Sequence, residues 1–527
     1  MRKFWKNWKR IFFLALGLFF LALILRLYNL TYLPVFADEA IYIRWSQVMV
    51  AEPTLRFLPL SDGKQPLFMW VLMFLVRRFK DPLFIGRLVS VATGIGTMAG
   101  IFALTYYLFK SKTTALIASL FWAISPFAIF FDRMALVDSM LAMFGIWTLV
   151  FGIITAKTLR LDAAMLTGFA LGGALLTKSP ALFFVILLPS TWLFSNWPKK
   201  NKDKAVRLIR LLGLFLVSLF IGYGMYNILR LGSNFHMIGL RNKDYVFPIS
   251  HLWTNPKDPF ISHFDRAIEW IWILGPSVLL IFIGLGAVVN LKKHWKETLL
   301  LALWGIGPIV VQSEFAKVFT ARYIFFSLPY LFILAASVFV VRRENFRKIV
   351  ILGLIIFIFH SLLVNRLLLT QVEAAPLPRI MRSGYLEEWT AGTGIYEAAE
   401  LIREEYNREP DEKIVVGTEG FFGTLPDGLQ IYLNDLPEIT IIGVGINLGE
   451  VPSSLTNSVE AGSKTYLLIN ASRLKFKGEF EDHGLKIVAV YPKAFRPEGM
   501  KEFVVHGPRD TLYLFEVTEK VLVPRSS

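Results

Sequence analysis

The 527-residue sequence is 55% hydrophobic and 15% aromatic, and only 18% of its residues are charged. Soluble domains average about a quarter charged residues, so a single water-soluble globule is excluded. The net charge is +16, yet residues 1–369 hold 40 Lys and Arg against 16 Asp and Glu, whereas residues 370–527 hold 16 against 24. Basic charge between long apolar stretches is typical of membrane topology and not of nucleic-acid binding. Since cysteine is absent, disulfides and thiolate chemistry are also excluded.

About 11 apolar stretches of the first 369 residues approach the roughly 20 residues that a helix needs to cross a bilayer. They lie near 11–30, 83–109, 113–131, 139–156, 163–177, 180–196, 208–229, 267–290, 298–313, 322–341 and 349–369. The first follows a basic N-terminus without a small-residue cleavage site behind it, so we interpret it as a retained span. The sequence therefore predicts an all-α polytopic membrane domain over residues 1–369.

The orientation follows from the Lys and Arg residues of the short loops. The first ten residues hold five of them and the loop 197–210 holds six, which predicts a cytoplasmic N-terminus and an extracytoplasmic C-terminal domain. Residues 66–79 are short for a span and are predicted to form a juxtamembrane helix. The alternative, a true short span, would invert every downstream loop.

Residues 370–521 predict a small soluble α/β domain. Helical periodicity covers 394–407, and β-rich stretches follow at 413–418, 439–444, 465–470, 486–491, 502–506 and 511–517, separated by Gly, Pro and Asn. The last residues, 522–527, resemble a protease-site scar of an expression tag and are left out of the fold prediction.

Acidic residues are rare in the first 369 positions, and two groups of them lie at predicted outer membrane boundaries. Asp38 and Glu39 follow the first span in an apolar and aromatic stretch, where carboxylates are costly unless they are paired or functional. One of the two is expected to act and the other to be tied structurally; a water-facing helix cap is the alternative. Arg133 and Asp138 end the third span, where a local ion pair competes with a functional role.

Basic residues recur on the same predicted outer side, which otherwise tends to lack them. They are Lys64 in a Gly-Lys-Gln-Pro-Leu stretch, Lys178 in a Leu-Thr-Lys-Ser-Pro turn, and Arg322 beside Tyr323. An anionic lipid phosphate is the expected counter-ion, because Lys offers a point charge and Arg a bidentate fork. A carboxylate base next to such cations suits transfer of a group from a lipid-linked phosphate to an acceptor.

These segments, in this order, resemble the GT-C class of integral-membrane glycosyltransferases, specifically the protein O-mannosyltransferase and lipid A aminoarabinose transferase superfamily. A stretch at 384–394 is also like one found after the last span of prokaryotic members. The resemblance implies an inverting transfer of a sugar from a polyprenyl-phosphate donor to a lipid, glycan or protein acceptor in the cell envelope. No cofactor is implied as required.

The resemblance also implies roles for single residues. Asp38 matches the catalytic acidic residue, Glu39 its neighbour, and Asp138 a second acidic residue of the site. Lys64 and Lys178 match donor-phosphate ligands, with Arg133 and Arg322 expected to assist them and Tyr42 and Tyr323 to line the substrate pocket. Two positions depart from the pattern: Gln65 stands in a Lys-Pro-Pro-like motif, and Ser179 stands where relatives often have Gly.

Three alternatives stay open at this stage. A multi-span transporter also uses intramembrane carboxylates, although no matching halves are visible. An oligosaccharyltransferase-like enzyme lacks its Trp-Trp-Asp-type motif here, and a structural or receptor role for the outer domain is the third. A divalent metal between Asp38 and Asp138 is also left open, since hard oxygen ligands suit Mg²⁺ or Mn²⁺.

Overall fold

The computed structural model describes residues 2–341 and 344–522 and is mostly helical, with one five-stranded sheet near the C-terminus. The predicted architecture, a polytopic helical domain followed by a small α/β domain, is confirmed. Residues 523–527 of the predicted tag scar lie outside the described residues. The chain divides into two compact units: a helical unit (Met1–Leu30, Pro53–Val71, Arg87–Pro378) and a sheet unit (Thr31–Glu52, Leu72–Gly86, Arg379–Ser527). The predicted domain boundary at residue 370 stays a prediction.

Seventeen α-helices precede residue 371 in the described chain. They are α1 (Arg2–Leu27), α2 (Ala37–Ala51), α3 (Leu67–Met73), α4 (Pro82–Phe109), α5 (Lys112–Ile124), α6 (Pro126–Asp132), α7 (Val137–Thr158), α8 (Leu161–Thr177), α9 (Leu182–Leu187), α10 (Asn201–Asn227), α11 (Met237–Tyr245), α12 (His251–Thr254), α13 (Phe260–Leu274), α14 (Ser277–Asn290), α15 (Trp295–Phe315), α16 (Leu328–Ala336) and α17 (Glu344–Thr370). Short 3₁₀ helices connect several of them, among them Leu58–Asp62, Ser179–Ala181, Leu188–Phe194 and Ala321–Ser327.

Seven helical stretches of the described chain are long and apolar enough to cross a membrane, and two bent pairs raise the number to at most nine. The bent pairs are α5 with α6 and α13 with α14. The expected count of about 11 spans is not confirmed, because Leu161–Thr177 and Ser179–Phe194 are shorter apolar helices. The predicted juxtamembrane helix is seven residues long, about 10 Å at the usual helical rise, which is too short to cross a bilayer.

The sheet of the sheet unit has the order β2-β1-β3-β5-β4. Its strands are β1 (Ile414–Thr418), β2 (Thr440–Gly443), β3 (Lys464–Asn470), β4 (Leu485–Pro492) and β5 (Thr511–Val517). Strand β1 pairs in parallel with β2 and β3, while β5 pairs antiparallel with β3 and β4. The helices after residue 371 are α18 (Arg379–Arg382), α19 (Ile395–Arg408), α20 (Asp427–Tyr432), α21 (Ser453–Glu460) and α22 (Lys501–His506).

Five of the six predicted strands are found within two residues of their expected bounds, and the predicted helix over 394–407 is α19. The strand predicted at 502–506 is wrong, since this segment is α22. Its two valines, Val504 and Val505, are 76% and 60% exposed, so no buried face holds them in a sheet. Gly507, at φ +80°, follows this six-residue helix, and its N–H donates to the carbonyl of Phe503.

One hydrophobic core of the sheet unit lies on the face of the sheet that α21 covers. Leu455 of α21 is completely buried and packs with Leu467, Ile469 and Phe515 of the strands. Burial of such side chains stabilises a fold by about 1.5–3 kcal/mol each, which is enough to fix α21 against the sheet.

Candidate functional site

The first pair of the candidate site joins the two ends of a helical hairpin. Asp138 lies in the first turn of α7, and Lys178 follows the last residue of α8 in an extended conformation. The Lys178 Nζ is 2.6 Å from Asp138 Oδ1, and Asp138 is only 2% exposed. The second oxygen, Asp138 Oδ2, is buried and has no hydrogen-bond partner among the described residues. A single cation therefore compensates a buried carboxylate that keeps one acceptor position available.

Aromatic and basic side chains of a neighbouring segment extend this pair. Tyr323 lies in the 3₁₀ helix Ala321–Ser327, and its ring centroid is 4.6 Å from Lys178 Nζ. The guanidinium carbon of Arg322 is 5.5 Å from the same ring. Cations near an aromatic face are held by the ring quadrupole. The structure thus brings together four of the predicted residues: Asp138, Lys178, Arg322 and Tyr323.

Lys64 is held by a tight turn of the first outer loop. Gly63 ends the 3₁₀ helix Leu58–Asp62 at φ +67°, and a Cβ there would lie 2.8 Å from Cβ of Arg241, so the position favours glycine. The Lys64 Nζ lies 3.4 Å from Asp62 Oδ2, and Asp62 also pairs with Arg241. The turn therefore gives Lys64 a fixed acidic neighbour and a second cation nearby.

One hydrogen bond links the segment of Lys64 to the segment of Lys178. Gln65 Nε2 donates to Ser179 Oγ over 2.8 Å, and each of these residues directly follows a predicted phosphate ligand. The two lysine-bearing segments are therefore linked at one point by side chains, although they are far apart in sequence.

Sequence analysis missed three residues of this neighbourhood: Asp62, Arg241 and Tyr245. Burial raises the pKa of Tyr245, and the charges of Tyr323, Lys64, Asp62 and Arg241 modify this effect. Tyr245 therefore lies within electrostatic reach of both predicted ligand segments. The available signal was another basic residue, Arg241, in an outer loop that was expected to lack such residues.

An apolar cavity of about 620 Å³ adjoins these residues. It lies among α8, α9, α10 and α11, and its few polar lining groups include Gln65, Ser179 and Asn242. The apolar lining residues are Leu171, Leu175, Leu182, Val185, Leu216, Leu219, Phe220 and Ile238. Since Gln65 and Ser179 adjoin Lys64 and Lys178 in sequence, the cavity begins next to the cations and continues between apolar helices. An amphiphile with an anionic head fits this arrangement.

Arg133 does not pair with Asp138, contrary to one of our expectations. Its guanidinium nitrogens donate instead to backbone carbonyls around the end of α1, including those of Arg26, Tyr28 and Asn29 at 2.8, 2.6 and 2.6 Å. Helices leave their last carbonyls without partners, and a nearby arginine satisfies them. Arg133 is only 8% exposed, so the structure gives it the place of a helix-capping residue.

The remaining predicted residues belong to the sheet unit. Asp38, half-buried, lies in the first turn of α2, and Tyr42 is buried one turn later. Glu39 is completely buried and accepts the N–H of Phe36 over 3.0 Å, as the acidic half of a capping box does. Of the adjacent pair, Glu39 thus has a structural bond to its own helix start.

Within the sheet unit, α2 is anchored to the C-terminal part of the chain. The backbone around Phe36 forms an antiparallel bridge with Ala391, so two of the segments that carry the family resemblance are paired. Gln47 of α2 donates to the carbonyl of Ile431 over 2.9 Å, and Trp45 stacks on Phe422. The predicted catalytic helix is therefore held by the residues that follow the last span.

In the described ranges 2–341 and 344–522, no group of three or more His, Asp or Glu side chains is arranged to hold a metal ion. The divalent metal that sequence analysis left open stays untested.

Comparison with known proteins gives a family match for part of the chain. Residues 63–223 match the family described as "Dolichyl-phosphate-mannose-protein mannosyltransferase". This range includes Lys64, Asp138 and Lys178 but neither Asp38 nor Arg322. Comparison with curated proteins gives no sequence match.

Comparison with solved structures shows the fold. ArnT from Cupriavidus metallidurans in the apo state is 14% identical, with a TM-score of 0.58 and 99% of both chains covered. The structure of ArnT bound to undecaprenyl phosphate is 16% identical, with a TM-score of 0.56, covering 97% of this chain and 99% of that one. The archaeal oligosaccharyltransferase AglB from Archaeoglobus fulgidus, in complex with an inhibitory peptide and a dolichol-phosphate, is 10% identical, with a TM-score of 0.53, covering 89% of this chain and 70% of AglB. The resemblance to GT-C glycosyltransferases stated from the sequence is confirmed.

Proposed function

We propose that this chain is a membrane glycosyltransferase that moves a sugar from a polyprenyl-phosphate donor to a hydroxyl or similar acceptor on the outer face of the membrane. The family match over residues 63–223 and the ArnT-like fold support a glycosyltransferase with a lipid-linked donor. They do not favour the transporter that sequence analysis left open.

The observation that carries the proposal is the position of the cations at one end of the apolar cavity. Lys178 and Lys64 are joined through Ser179 and Gln65, and both of these line the cavity. A polyprenyl phosphate fits this arrangement, because its anionic head matches the lysines and its apolar tail matches the cavity lining. Burial of its chain gains roughly 0.8 kcal/mol for each CH₂, and the lysines supply charge-assisted hydrogen bonds to the phosphate.

In the proposed reaction the bond between the anomeric carbon and the phosphate oxygen breaks, and the phosphate leaves as an anion. Negative charge on the phosphate grows toward the transition state, so Lys64 and Lys178 stabilise the transition state more than the ground state. A phosphate needs no strong general acid in order to leave. The remaining requirement is a base for the acceptor.

Asp38 is the residue that we propose as this base, since it removes the proton from the acceptor hydroxyl as the new bond to the anomeric carbon forms. Direct attack on the face opposite the phosphate inverts the configuration. Glu39 orients the start of α2 through its bond to Phe36. Asp138, which retains one open acceptor oxygen, is proposed to contact a sugar hydroxyl.

The membrane orientation and the partners belong to the same proposal. We place the N-terminus in the cytoplasm and the residues after α17 outside, with the acceptor a lipid, glycan or protein. The solved relatives contain undecaprenyl phosphate in one case and a peptide with dolichol-phosphate in another. We further propose that catalysis needs no bound metal or other cofactor, so that EDTA leaves the rate of transfer unchanged.

The decisive experiment uses the purified full chain in lipid nanodiscs with radiolabelled polyprenyl-phosphate sugars. The expected result is covalent transfer of label to an acceptor fraction, together with binding of unlabelled undecaprenyl phosphate. Lys64→Ala should weaken both, and Lys64→Arg should restore them only in part, because a planar fork does not replace a point charge.

Lys243→Ala is the matched control, since this lysine is exposed on α11 in an outer segment. The bond from Lys317 goes to its backbone carbonyl and not to its side chain. Equal losses in both variants would indicate a general charge effect and contradict the proposed pocket. Movement of the labelled donor across the membrane without any covalent product would overturn the proposed function.

A further inference from the structure

Lysine and tyrosine side chains form a connected cluster on the helical unit, away from the candidate site. The ammonium groups of Lys110 and Lys157 each lie 4.4 Å from the ring centroid of Tyr107. Lys110 is also 5.8 Å from the ring of Tyr106, which packs edge-on against Trp8. We call Tyr106, Tyr107, Lys110 and Lys157 the lysine–tyrosine cluster.

Two helices, α4 and α7, supply the cluster, and two more, α1 and α5, supply its rim. Tyr106 and Tyr107 lie in the last turn of α4, Lys110 follows this helix, and Lys157 lies in the last turn of α7. At the rim, Lys112 opens α5 and lies 3.9 Å from the Trp8 ring of α1. Lys110 has φ +53°, a left-handed conformation that is uncommon outside glycine and asparagine. A lysine at this position is therefore retained at some cost in backbone energy.

The cluster concentrates positive charge, and no carboxylate of the described residues forms an ion pair with its lysines. Both ammonium groups lie 4.4 Å from one ring centre, so they are at most 8.8 Å apart. Among the described residues neither lysine forms an ion pair. Glu297 attracts Lys157 electrostatically without forming an ion pair with it. Two like charges this close at a membrane boundary repel each other, and an anion beside both would relieve the repulsion.

The cluster lies one membrane thickness away from the candidate donor site. Asp138 and Lys157 are near opposite ends of α7, and their separation of 19 positions corresponds to about 28 Å along a helix. This is close to the roughly 30 Å of a hydrocarbon core. The cluster therefore faces the other leaflet, at the depth of lipid headgroups, where tyrosine and tryptophan also concentrate.

We propose that the lysine–tyrosine cluster binds the phosphodiester headgroup of an anionic phospholipid in this leaflet. The two ammonium groups bind the phosphate oxygens, the tyrosine rings hold the ammonium groups in place, and the acyl chains lie along the apolar faces of α1 and α4. Attraction of single lysines to helix C-termini explains each position alone, but not the convergence of two of them on one ring. The inference does not depend on the proposed transfer reaction.

The test is native mass spectrometry of the full chain, purified in neutral detergent and supplied with equal amounts of phosphatidylglycerol and phosphatidylcholine. We expect retention of phosphatidylglycerol over phosphatidylcholine. For the Lys110→Gln/Lys157→Gln variant the affinity for phosphatidylglycerol should fall roughly 30-fold, since the loss of each lysine should reduce the affinity about fivefold. Lys110→Arg/Lys157→Arg should retain binding within a few-fold.

Lys200→Gln/Lys202→Gln is the matched control. It removes the same charge from exposed lysines at the start of α10 and should leave binding unchanged. Inorganic phosphate at millimolar concentration should compete only weakly with phosphatidylglycerol, because the free anion lacks acyl chains. The proposal is overturned if the control variant loses as much binding as the cluster variant, if phosphatidylcholine is retained equally, or if free phosphate displaces the lipid. If the double glutamine variant does not fold, Lys110→Gln alone, at an exposed position, must still weaken binding several-fold.

Discussion

Gln65 donates its side-chain hydrogen bond to Ser179 over 2.8 Å, across 114 positions of sequence. These are the two residues at which the chain departs from the motifs it resembles, where a proline-like and a glycine-like position were expected. The departures are therefore compatible with each other, because each residue supplies the partner that the other needs. The bond fixes the two lysine-bearing segments to each other.

Removal of this bond should weaken donor binding without removing any charge. Gln65→Ala and Ser179→Ala should each reduce the affinity for undecaprenyl phosphate. Their effects should be non-additive by about 1 kcal/mol, the typical net value of one hydrogen bond. Titration of wild type, both single variants and the double variant gives the coupling directly. Fully additive effects would show that the bond does not position the lysines.

The pairing of Lys178 with Asp138 predicts that removal of both charges restores stability but not activity. Lys178→Met leaves a buried carboxylate without its cation and should lower the free energy of unfolding by about 3 kcal/mol or more. In Lys178→Met/Asp138→Asn the buried charge is gone, so most of this stability should return while transfer stays abolished. Thermal unfolding and the transfer assay measure the two quantities. A double variant less stable than Lys178→Met would contradict the role of Lys178 as counter-ion.

Sequence patterns predicted the helical architecture and five strands well, because long apolar stretches and β-rich segments are strong local signals. They failed at 502–506, where a short Phe-Val-Val sequence has high strand propensity but no buried face to occupy. They also counted more spans than are found, since apolar helices of 16–17 residues are not distinguishable from short spans by composition.

For the candidate site, the sequence indicated the residues but not their partners. Charged residues are scarce at the predicted outer membrane boundary, which indicated Asp138 and Lys178 as site residues. The structure brings these two into contact. The same signal placed Arg133 in the phosphate pocket, whereas it caps α1. Charge scarcity cannot distinguish a ligand from a helix cap, because both uses compensate a costly buried charge. Tyr245 was missed, since tyrosine is common at membrane boundaries.

Asp38→Asn should separate the proposed base from the donor site. The substitution retains shape and removes the proton acceptor, so turnover should fall roughly 10²–10⁴-fold, while undecaprenyl phosphate binds as in the wild type. Glu39→Gln is the matched control at the neighbouring position. The amide oxygen of the new side chain can still accept the N–H of Phe36, so this variant should retain most of the turnover. Near-normal turnover of a folded Asp38→Asn protein would remove Asp38 from the proposed mechanism.

Lys493 predicts a pH dependence of stability in the sheet unit. Its ammonium donates to the carbonyl of Glu388 over 3.0 Å, and burial lowers the pKa of Lys493 from 10.5 to about 8. The native state therefore binds fewer protons than the unfolded state between about pH 8 and pH 10.5, so this residue's contribution to stability should rise with pH in that window. The full effect is about 3 kcal/mol, from 2.5 pH units at 1.36 kcal/mol each.

The measurement is the unfolding midpoint of wild type and Lys493→Met at pH 7, 8, 9 and 10. The difference between wild type and variant should be constant near pH 7 and should move in favour of the wild type above pH 8. Tyr466 and Tyr491, whose pKa values burial raises to about 12, are present in both proteins and cancel in the difference. A pH-independent difference would show that Lys493 keeps an ordinary pKa.

The proposed orientation can be tested cleanly, because the chain contains no cysteine. Single substitutions at exposed positions, Ser250→Cys after α11 and Ser454→Cys in α21, should react in intact cells with a membrane-impermeant maleimide. Lys200→Cys, just before α10, should react only after the membrane is opened. The charge asymmetry gives the physical reason, since six Lys and Arg residues in the loop 197–210 favour its retention in the cytoplasm. Labelling of all three after permeabilisation provides the control for reactivity. Labelling of Lys200→Cys in intact cells with protection of Ser454→Cys would reverse the orientation, and the candidate donor site would then face the cytoplasm.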